Sequence, residues 1–211
     1  MRNAWSCHRL KGFFNRLGMK IVIIDYGAGN IQSIRFAFER LGFSPELSHD
    51  AGKIREADRV VFPGVGEAGS AMAKLRKSGL DVLIPRLTQP VLGICLGMQL
   101  MCRHTDEGDT PGLGIFDTEV RQFPLERKVP QIGWNSIHDL KTDVFAGIPE
   151  GAYIYLVHSY YAPLCKETIA VSDYGFSYSA ALAKDNFYGL QFHPEKSGKD
   201  GAMMLKNFIE M

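Results

Sequence analysis

The sequence predicts an α/β protein, a three-layer sandwich with a central mostly parallel sheet and added antiparallel strands. Three observations carry that reading. Short, uniformly apolar runs alternate with segments of helical spacing from residue 21 to about residue 102, and such runs are how strands buried on both faces of a parallel sheet read. Gly-containing loops follow these runs directly, where a strand would hand over to a helix. After about Gly112 the texture changes to shorter alternating segments with polar turns between them, the pattern of antiparallel strands and hairpins.

Taken in order, Ile21-Val-Ile-Ile24 is the first strand, β-branched and apolar throughout. From Asn30 the spacing turns helical, with Ile31, Ile34, Phe38 and Leu41 on one face and Gly42 placed to end it. Residues 44–48 read as a second strand and 59–62 as a third, before the loop Pro63-Gly-Val-Gly66 and a helix over about residues 67–77. Residues 91–94 form a fourth buried strand, followed without a spacer by Cys95 and a helix through about Cys102. Strictly alternating strands and helices imply parallel pairing. Residues 115–123, 130–138, 152–158, 169–173, 179–183 and 188–192 then read as antiparallel strands, with Lys184-Asp185-Asn186 as a polar turn and a closing helix over about residues 199–210.

Lys and Arg number 24 against 23 Asp and Glu, a net charge of +1. That balance gives no global electrostatic reason to expect nucleic acid or an anionic membrane as partner. No apolar run approaches the roughly 18 residues of a membrane span. The four cysteines (Cys7, Cys95, Cys102, Cys165) are too few and too irregular for a disulfide scaffold, which makes a reducing cytoplasm the expected compartment. Residues 1–18 carry Arg2, Arg9, Lys11 and Arg16 and no acid. They lack a long apolar stretch and a sustained amphipathic pattern, so we expect an extension or an upstream start, with one functional domain over residues 19–211.

The chemistry concentrates at three strand ends. Gly93-Ile-Cys95-Leu-Gly97 has the nucleophile-elbow pattern, in which a sharp strand-to-helix turn holds a side chain up and glycines remove Cβ atoms that would clash. The nucleophile here is a thiol at a helix N-terminus, a setting that favours the thiolate. In Gln191-Phe-His193-Pro-Glu195, Pro194 restrains His193 to an extended conformation, so the imidazole and the Glu195 carboxylate project to one side. That is the base-plus-orienter half of a triad. Phe62-Pro-Gly64-Val65-Gly66 can turn backbone N–H groups toward a developing negative charge, with Leu96 N–H as the second oxyanion donor. The competing readings are a small buried cysteine between packing glycines, a surface His beside a solvated Glu, an ordinary Gly-rich turn, and a Cys/His/Glu metal site. The metal reading lacks a second Cys or His at a ligand spacing, and neither metal nor cofactor is expected.

Together these motifs resemble the class I (triad) glutamine amidotransferases: a strand-end Pro-Gly loop, then G-x-C-x-G-x-Q, then a distal H-P-E, over essentially residues 19–211. Finer segments resemble the histidine-biosynthesis branch of that family. They are Asp25-Tyr-Gly-Ala-Gly-Asn30, Pro63-Gly-Val-Gly66, Gly93-Ile-Cys-Leu-Gly-Met-Gln99, Pro130-Gln-Ile-Gly-Trp-Asn135, Val157-His-Ser-Tyr-Tyr161 and Gln191-Phe-His-Pro-Glu-Lys-Ser197. The resemblance implies a flavodoxin-like fold and hydrolysis of the glutamine amide through a γ-glutamyl thioester on Cys95. The ammonia would pass to a separate (β/α)8-barrel cyclase, the heterodimer partner. It implies that Gly66, Gln99, Glu107, His158, Ser159 and Tyr160 hold glutamine, with Glu107 suited to the α-ammonium. Asn30, Trp134 and Lys196 would face the cyclase, an N-cap Asn, a core Trp and a surface Lys being the plainer alternatives. It also implies that the Gly64–Val65 peptide is a hinge whose oxyanion donor is misdirected until the partner binds its own ligand.

Three rival readings remain open at this point. The glutaminase could serve anthranilate or aminodeoxychorismate synthase, although the Gly-Trp-Asn and His-Ser-Tyr-Tyr segments disfavour that. The chain could be a catalytically silent regulatory module, against which stand all three triad residues. A dinucleotide-binding protein would need a third glycine after Gly27-Ala-Gly29, where position 32 is Gln.

Overall fold

The computed structural model describes residues 18–27 and 31–211. The expectations placed on residues 1–17, including Cys7, and on Asn30 lie outside the described residues. Strand β1 (Ile21–Ile24) is buried along its whole length. It is followed by α1 (Ile31–Arg40), which turns Ile31, Ile34, Ala37 and Phe38 inward and is closed by Gly42 at φ 87°. Strand β2 (Glu46–Ser48) and a short helix α2 (Ala51–Arg55) lead to β3 (Arg59–Gly64). Helix α3 (Ala68–Ser78) starts where the Glu67 carboxylate accepts from Gly69 N and Ser70 N, and it ends on Gly79 at φ 71°. A one-turn helix α4 (Leu80–Leu83) precedes β4 (Val91–Cys95) and α5 (Leu96–Met101).

The second half supplies β5 (Cys102–Thr105), β6 (Thr110–Pro111), β7 (Phe116–Gln122), β8 (Gln131–Ile137), β9 (Ala152–His158) and β10 (Tyr160–Tyr161). Strands β11 (Thr168–Asp173), β12 (Ser177–Lys184) and β13 (Phe187–Leu190) and helix α6 (Gly198–Glu210) complete it. The central sheet runs β11-β12-β13-β4-β3-β1-β2. From β13 to β2 every neighbour is parallel, while β12 pairs antiparallel with both its neighbours. The parallel part has the 2-1-3-4-5 order of flavodoxin-like sheets, in which ligands bind beyond the carboxyl ends of the strands.

Alternation along the parallel strands divides the apolar side chains between two cores. Ile21, Ile23, Val61, Leu92 and Ile94 pack with Phe38 of α1, Leu205 and Phe208 of α6 and Leu156 of the β8–β9 ribbon. Val22, Ile24, Val60, Phe62 and Val91 pack with Met72 and Leu75 of α3 and Met98 and Leu100 of α5. The sheet is therefore covered on both faces, as a parallel sheet must be.

Three details differ from the sequence reading. β13 was expected among antiparallel strands, yet its second edge lies parallel to β4, with Gly189 opposite Gly93 and Leu190 opposite Ile94. The helix after Cys95 stops at Met101, because Cys102 enters β5, a strand that the sequence reading did not place and that runs parallel to β7. Pro63 and Gly64 belong to β3, in register with Ile94 and Cys95, and so extend the strand rather than open a loop. Strand pairing is set by partners distant in sequence, which local patterns do not encode.

Candidate active site

Cys95 sits at the junction of β4 and α5 with φ 54° and ψ −111°, a conformation a non-glycine residue adopts only under constraint. The constraint is close packing of three backbones. A Cβ on Gly97 would collide with the Phe62 carbonyl, and one on Gly64 would stand 2.7 Å from Gly97 N. The strand-to-helix turn can therefore approach β3 only with glycine at both positions. Cys95 is 7% exposed and its thiol donates to the Val157 carbonyl at 3.9 Å.

Because β13 runs parallel to β4, the chain beyond Leu190 leaves the sheet beside Cys95. His193 is extended (φ −99°, ψ 94°), and Pro194–Lys196 forms one 3-10 turn with Pro194 in its first position, where its missing N–H costs nothing. The expected meeting of His193 and Glu195 thus comes through a turn rather than a continued strand. His193 Nδ1 donates to Glu195 Oε1 at 2.8 Å, and the two side chains are 5% and 1% exposed. His193 Nε2 and Glu195 Oε2 are buried with no hydrogen-bond partner among the described residues. Nε2, the atom that would exchange a proton with Cys95, is thus free to do so. Burial works against a charged imidazole, but Cys95 beside it and the Glu195 hydrogen bond more than offset that and raise its pKa to about 10.

The His193 backbone is held independently. Its N–H donates to Tyr155 O at 2.9 Å, its carbonyl accepts from Ser197 Oγ at 2.7 Å, and Ser197 Oγ accepts from Tyr155 N at 3.0 Å. This closed ring ties the turn that starts at His193 to β9.

A cavity of about 330 Å³ opens over these groups. Its walls contain Cys95, His193, Val65, Gly66, Leu96, Gln99, Glu107, His158, Ser159, Tyr160 and Lys196, together with Pro130 and Val157. Gly64 stands behind it, opposite Cys95 in the sheet. Leu96 is the first residue of α5, whose leading N–H groups have no partner within the helix. Gln99 is buried and spends its NH2 group on Gln191 Oε1 (3.0 Å) and Tyr160 O (3.1 Å). Glu107 accepts from Ala68 N at 2.9 Å, and burial raises its pKa, helped by Glu67. His158 is neutral: burial lowers its pKa to about 4, and its Nδ1 donates to Tyr160 O at 2.7 Å. The Ser159 carbonyl accepts from Phe123 N.

Trp134 and Lys196 come together on Tyr155. The indole meets that ring edge-on at 6.1 Å, and the ammonium lies 5.7 Å from its centroid. Trp134 is 55% exposed, on the same open ribbon face as Ile132 and Tyr153. It is a surface residue, not a core one.

Residues 22–211 match the family described as Glutamine amidotransferase class-I. The chain belongs to the class-I glutamine amidotransferases. It is 52% identical over 196 residues to the imidazole glycerol phosphate synthase subunit HisH of Bacteroides fragilis, covering 92% of this chain and all of that one. The HisH subunit of Haemophilus influenzae is 47% identical over 194 residues, 91% of this chain and 98% of that one. At this identity and coverage the chain stands within the HisH branch. Among solved structures, a GMP synthase subunit protein from Thermoplasma acidophilum superposes with a TM-score of 0.71 at 21% identity, over 91% of this chain and 92% of that one. PurLQS from Thermotoga maritima reaches 0.69 at 16% identity, over 91% and 98%. Both share the amidotransferase fold.

Sequence reasoning assigned no role to Tyr26, Gln191 or Ser197, although each lies inside a quoted motif. Tyr26 reaches Pro63, Ser197 reaches Tyr155 and Gln191 reaches Cys95, 37 to 96 residues away, and no local pattern announces those contacts. No group of three or more His, Cys, Asp or Glu among the described residues could hold a metal ion. No helix among them is long and apolar enough to cross a membrane.

Proposed function

We propose that the chain is the glutaminase subunit of an imidazole glycerol phosphate synthase, with Cys95 as nucleophile, His193 as acid and base, and Glu195 orienting the imidazole. The observation that carries this is the His193–Glu195 pair at 2.8 Å whose open Nε2 shares one pocket with Cys95. The proton shared between Cys95 and His193 rests on His193 Nε2, in keeping with the raised pKa of that imidazole, and the sulfur attacks the side-chain amide carbon of glutamine. The carbonyl oxygen becomes an oxyanion facing the Val65 and Leu96 N–H groups, with Gly64 and Gly66 allowing that turn. Collapse returns the proton from His193 to the leaving nitrogen and frees ammonia, leaving a γ-glutamyl thioester. Water then adds, giving its proton to His193; glutamate leaves and the thiol is restored. Glu107 receives the α-ammonium, while Gln99, His158, Ser159 and Tyr160 line the same pocket.

Ammonia in neutral water is mostly protonated and no longer nucleophilic, so it must reach its acceptor directly. We assign that acceptor to a separate (β/α)8-barrel cyclase docked on the open ribbon face, where Trp134, Ile132 and Tyr153 are exposed and Lys196 sits at the pocket rim. A biosynthetic pair of this kind belongs in the cytoplasm.

The test is glutamate release from glutamine by the purified chain, with a Cys95→Ala control, alone and with a ligand-bound cyclase. Activity that needs both Cys95 and the cyclase is expected. Cys95-dependent activity indifferent to the cyclase would overturn the pathway assignment, and no activity in either mixture would overturn the glutaminase reading.

A further inference from the structure

Gln191 is wholly buried beside the nucleophile, and the chemistry above gives it no task. Its Nε2 lies 3.8 Å from Cys95 Sγ, and its Oε1 accepts from Gln99 Nε2 at 3.0 Å. A side-chain amide can be turned over with little change in shape, so which end faces the sulfur has to be argued from its partners. A backbone carbonyl supplies the argument. Tyr160 O can only accept, and it receives Gln99 Nε2 at 3.1 Å and His158 Nδ1 at 2.7 Å. Gln99 must therefore present its NH2 group, and the atom of Gln191 that meets that group must be the acceptor Oε1. The Gln191 NH2 group is left facing Cys95.

We propose that Gln191 is a positioning residue for Cys95, whose N–H, oriented through Gln99 by the Tyr160 carbonyl, donates to the sulfur and stabilises its anionic form. The proposal rests on Cys95 being the nucleophile. A thiol sulfur is a weak acceptor and a thiolate a strong one, so the bond gains strength when the proton has gone to His193 Nε2. Only that difference between states assists the reaction. The other titratable groups that act on the sulfur are His193, from the turn after β13, and Tyr26, from the loop after β1. Tyr26 spends its proton on Pro63 O, which leaves the amide of Gln191 as the neutral donor to the sulfur among the described residues.

The experiment compares alkylation of Cys95 by iodoacetamide in the full chain and in Gln191→Met and Gln191→Glu, without glutamine or partner, following Cys95 by peptide mass. Met keeps the volume and removes both polar ends. Glu keeps the oxygen that accepts from Gln99 and replaces the donor by a second oxygen. Both variants are expected to alkylate about fivefold or more slowly at neutral pH, with kcat for glutamate release reduced in proportion and KM within about twofold. Parental alkylation in Gln191→Glu overturns the proposal, since that variant lacks the donor and sets a carboxylate beside the sulfur in its place. Slow alkylation in both accompanied by a lowered unfolding temperature makes Gln191 a packing residue and overturns it as well. If the parent releases no glutamate while its alkylation still depends on Gln191, the glutaminase reading fails and the positioning role stands.

Discussion

The hydroxyl of Tyr26 donates to the carbonyl of Pro63 at 2.9 Å, tying the loop after β1 to the end of β3. The ring is buried and packs against Phe62 with centroids 5.7 Å apart. Burial, together with the neighbouring Cys95 charge, pushes the phenol pKa far up, so the group keeps its proton and stays a donor. The loops beyond β1 and β3 are thereby fixed to each other one residue before the Gly64–Val65 peptide. Replacing Tyr26 by Phe removes one oxygen and leaves the Pro63 carbonyl unpaired. We expect a loss of about 1 kcal/mol in stability and a several-fold fall in kcat with KM nearly constant, read by urea unfolding and by glutamate release with the cyclase present. A kcat equal to the parent's would reduce Tyr26 to a structural anchor.

Glu195→Gln keeps the shape of the orienting side chain and removes its charge. Loss of that carboxylate is expected to cut kcat by about 100-fold or more and to lower the His193 pKa from its value of about 10, as followed by NMR titration of the ring. A raised histidine pKa stabilises the fold fully below about pH 6.5, and that contribution fades as pH climbs toward 10. Cys95→Ala should therefore flatten the alkaline limb of the stability curve; a limb of unchanged slope would refute the coupling.

His158 works in the opposite direction. Its folded-state pKa of about 4 lies below the ordinary value of 6.5, chiefly through burial, so the unfolded chain binds a proton that the folded chain refuses. Stability is expected to fall with pH between about 6.5 and 4, at up to about 1.4 kcal/mol per pH unit from this group. Denaturation across that window, compared with His158→Gln, measures the slope, which the variant should lose.

Ser197→Ala opens the ring that joins Tyr155 N to the His193 carbonyl. Tyr155 N, part-buried, then lacks its acceptor, and a cost of about 1–3 kcal/mol is expected. Activity should drop with it, because the turn that carries His193 and Glu195 loses one of its two backbone ties to β9. Thermal unfolding and kcat measured together would show whether both change.

Trp134 gives an exposed aromatic face stacked edge-on to Tyr155, the kind of side chain that dominates interface energetics. Trp134→Ala is expected to weaken binding to the cyclase by about 2 kcal/mol or more while leaving Cys95 alkylation of the isolated chain unchanged. Calorimetric titration with the barrel protein decides it, and an unaltered Kd would move the docking surface elsewhere.

Much of the site was legible without coordinates because its chemistry is local. Gly93, Cys95 and Gly97 impose a sharp turn wherever they stand after a buried strand, and His193 and Glu195 are close enough in the chain to meet through one turn. The β1–α1 and β4–α5 units announce themselves for the same reason, since burial on both faces requires unbroken apolar runs. The edge of β13 that faces β4 was not legible, because its alternation with Gly189 and Leu190 fits either orientation of neighbour. Gln191 was visible as a motif letter, yet its role depends on Gln99 and Tyr160, which reach it only across the folded chain.

The division follows from the range of the forces involved. Residue order alone determined the strand-helix alternation, the strained thiol turn and the His-Pro-Glu pairing, all of which depend on backbone sterics and burial over a few residues. Only the tertiary structure decided that β13 would lie against β4 and so bring two residues far apart in the chain, Cys95 and His193, into one pocket. It also decided which way the Gln191 amide turns and which loops Tyr26 ties together. Those outcomes rest on single hydrogen bonds between distant segments, and such bonds become worth making only after the two cores have excluded water around them.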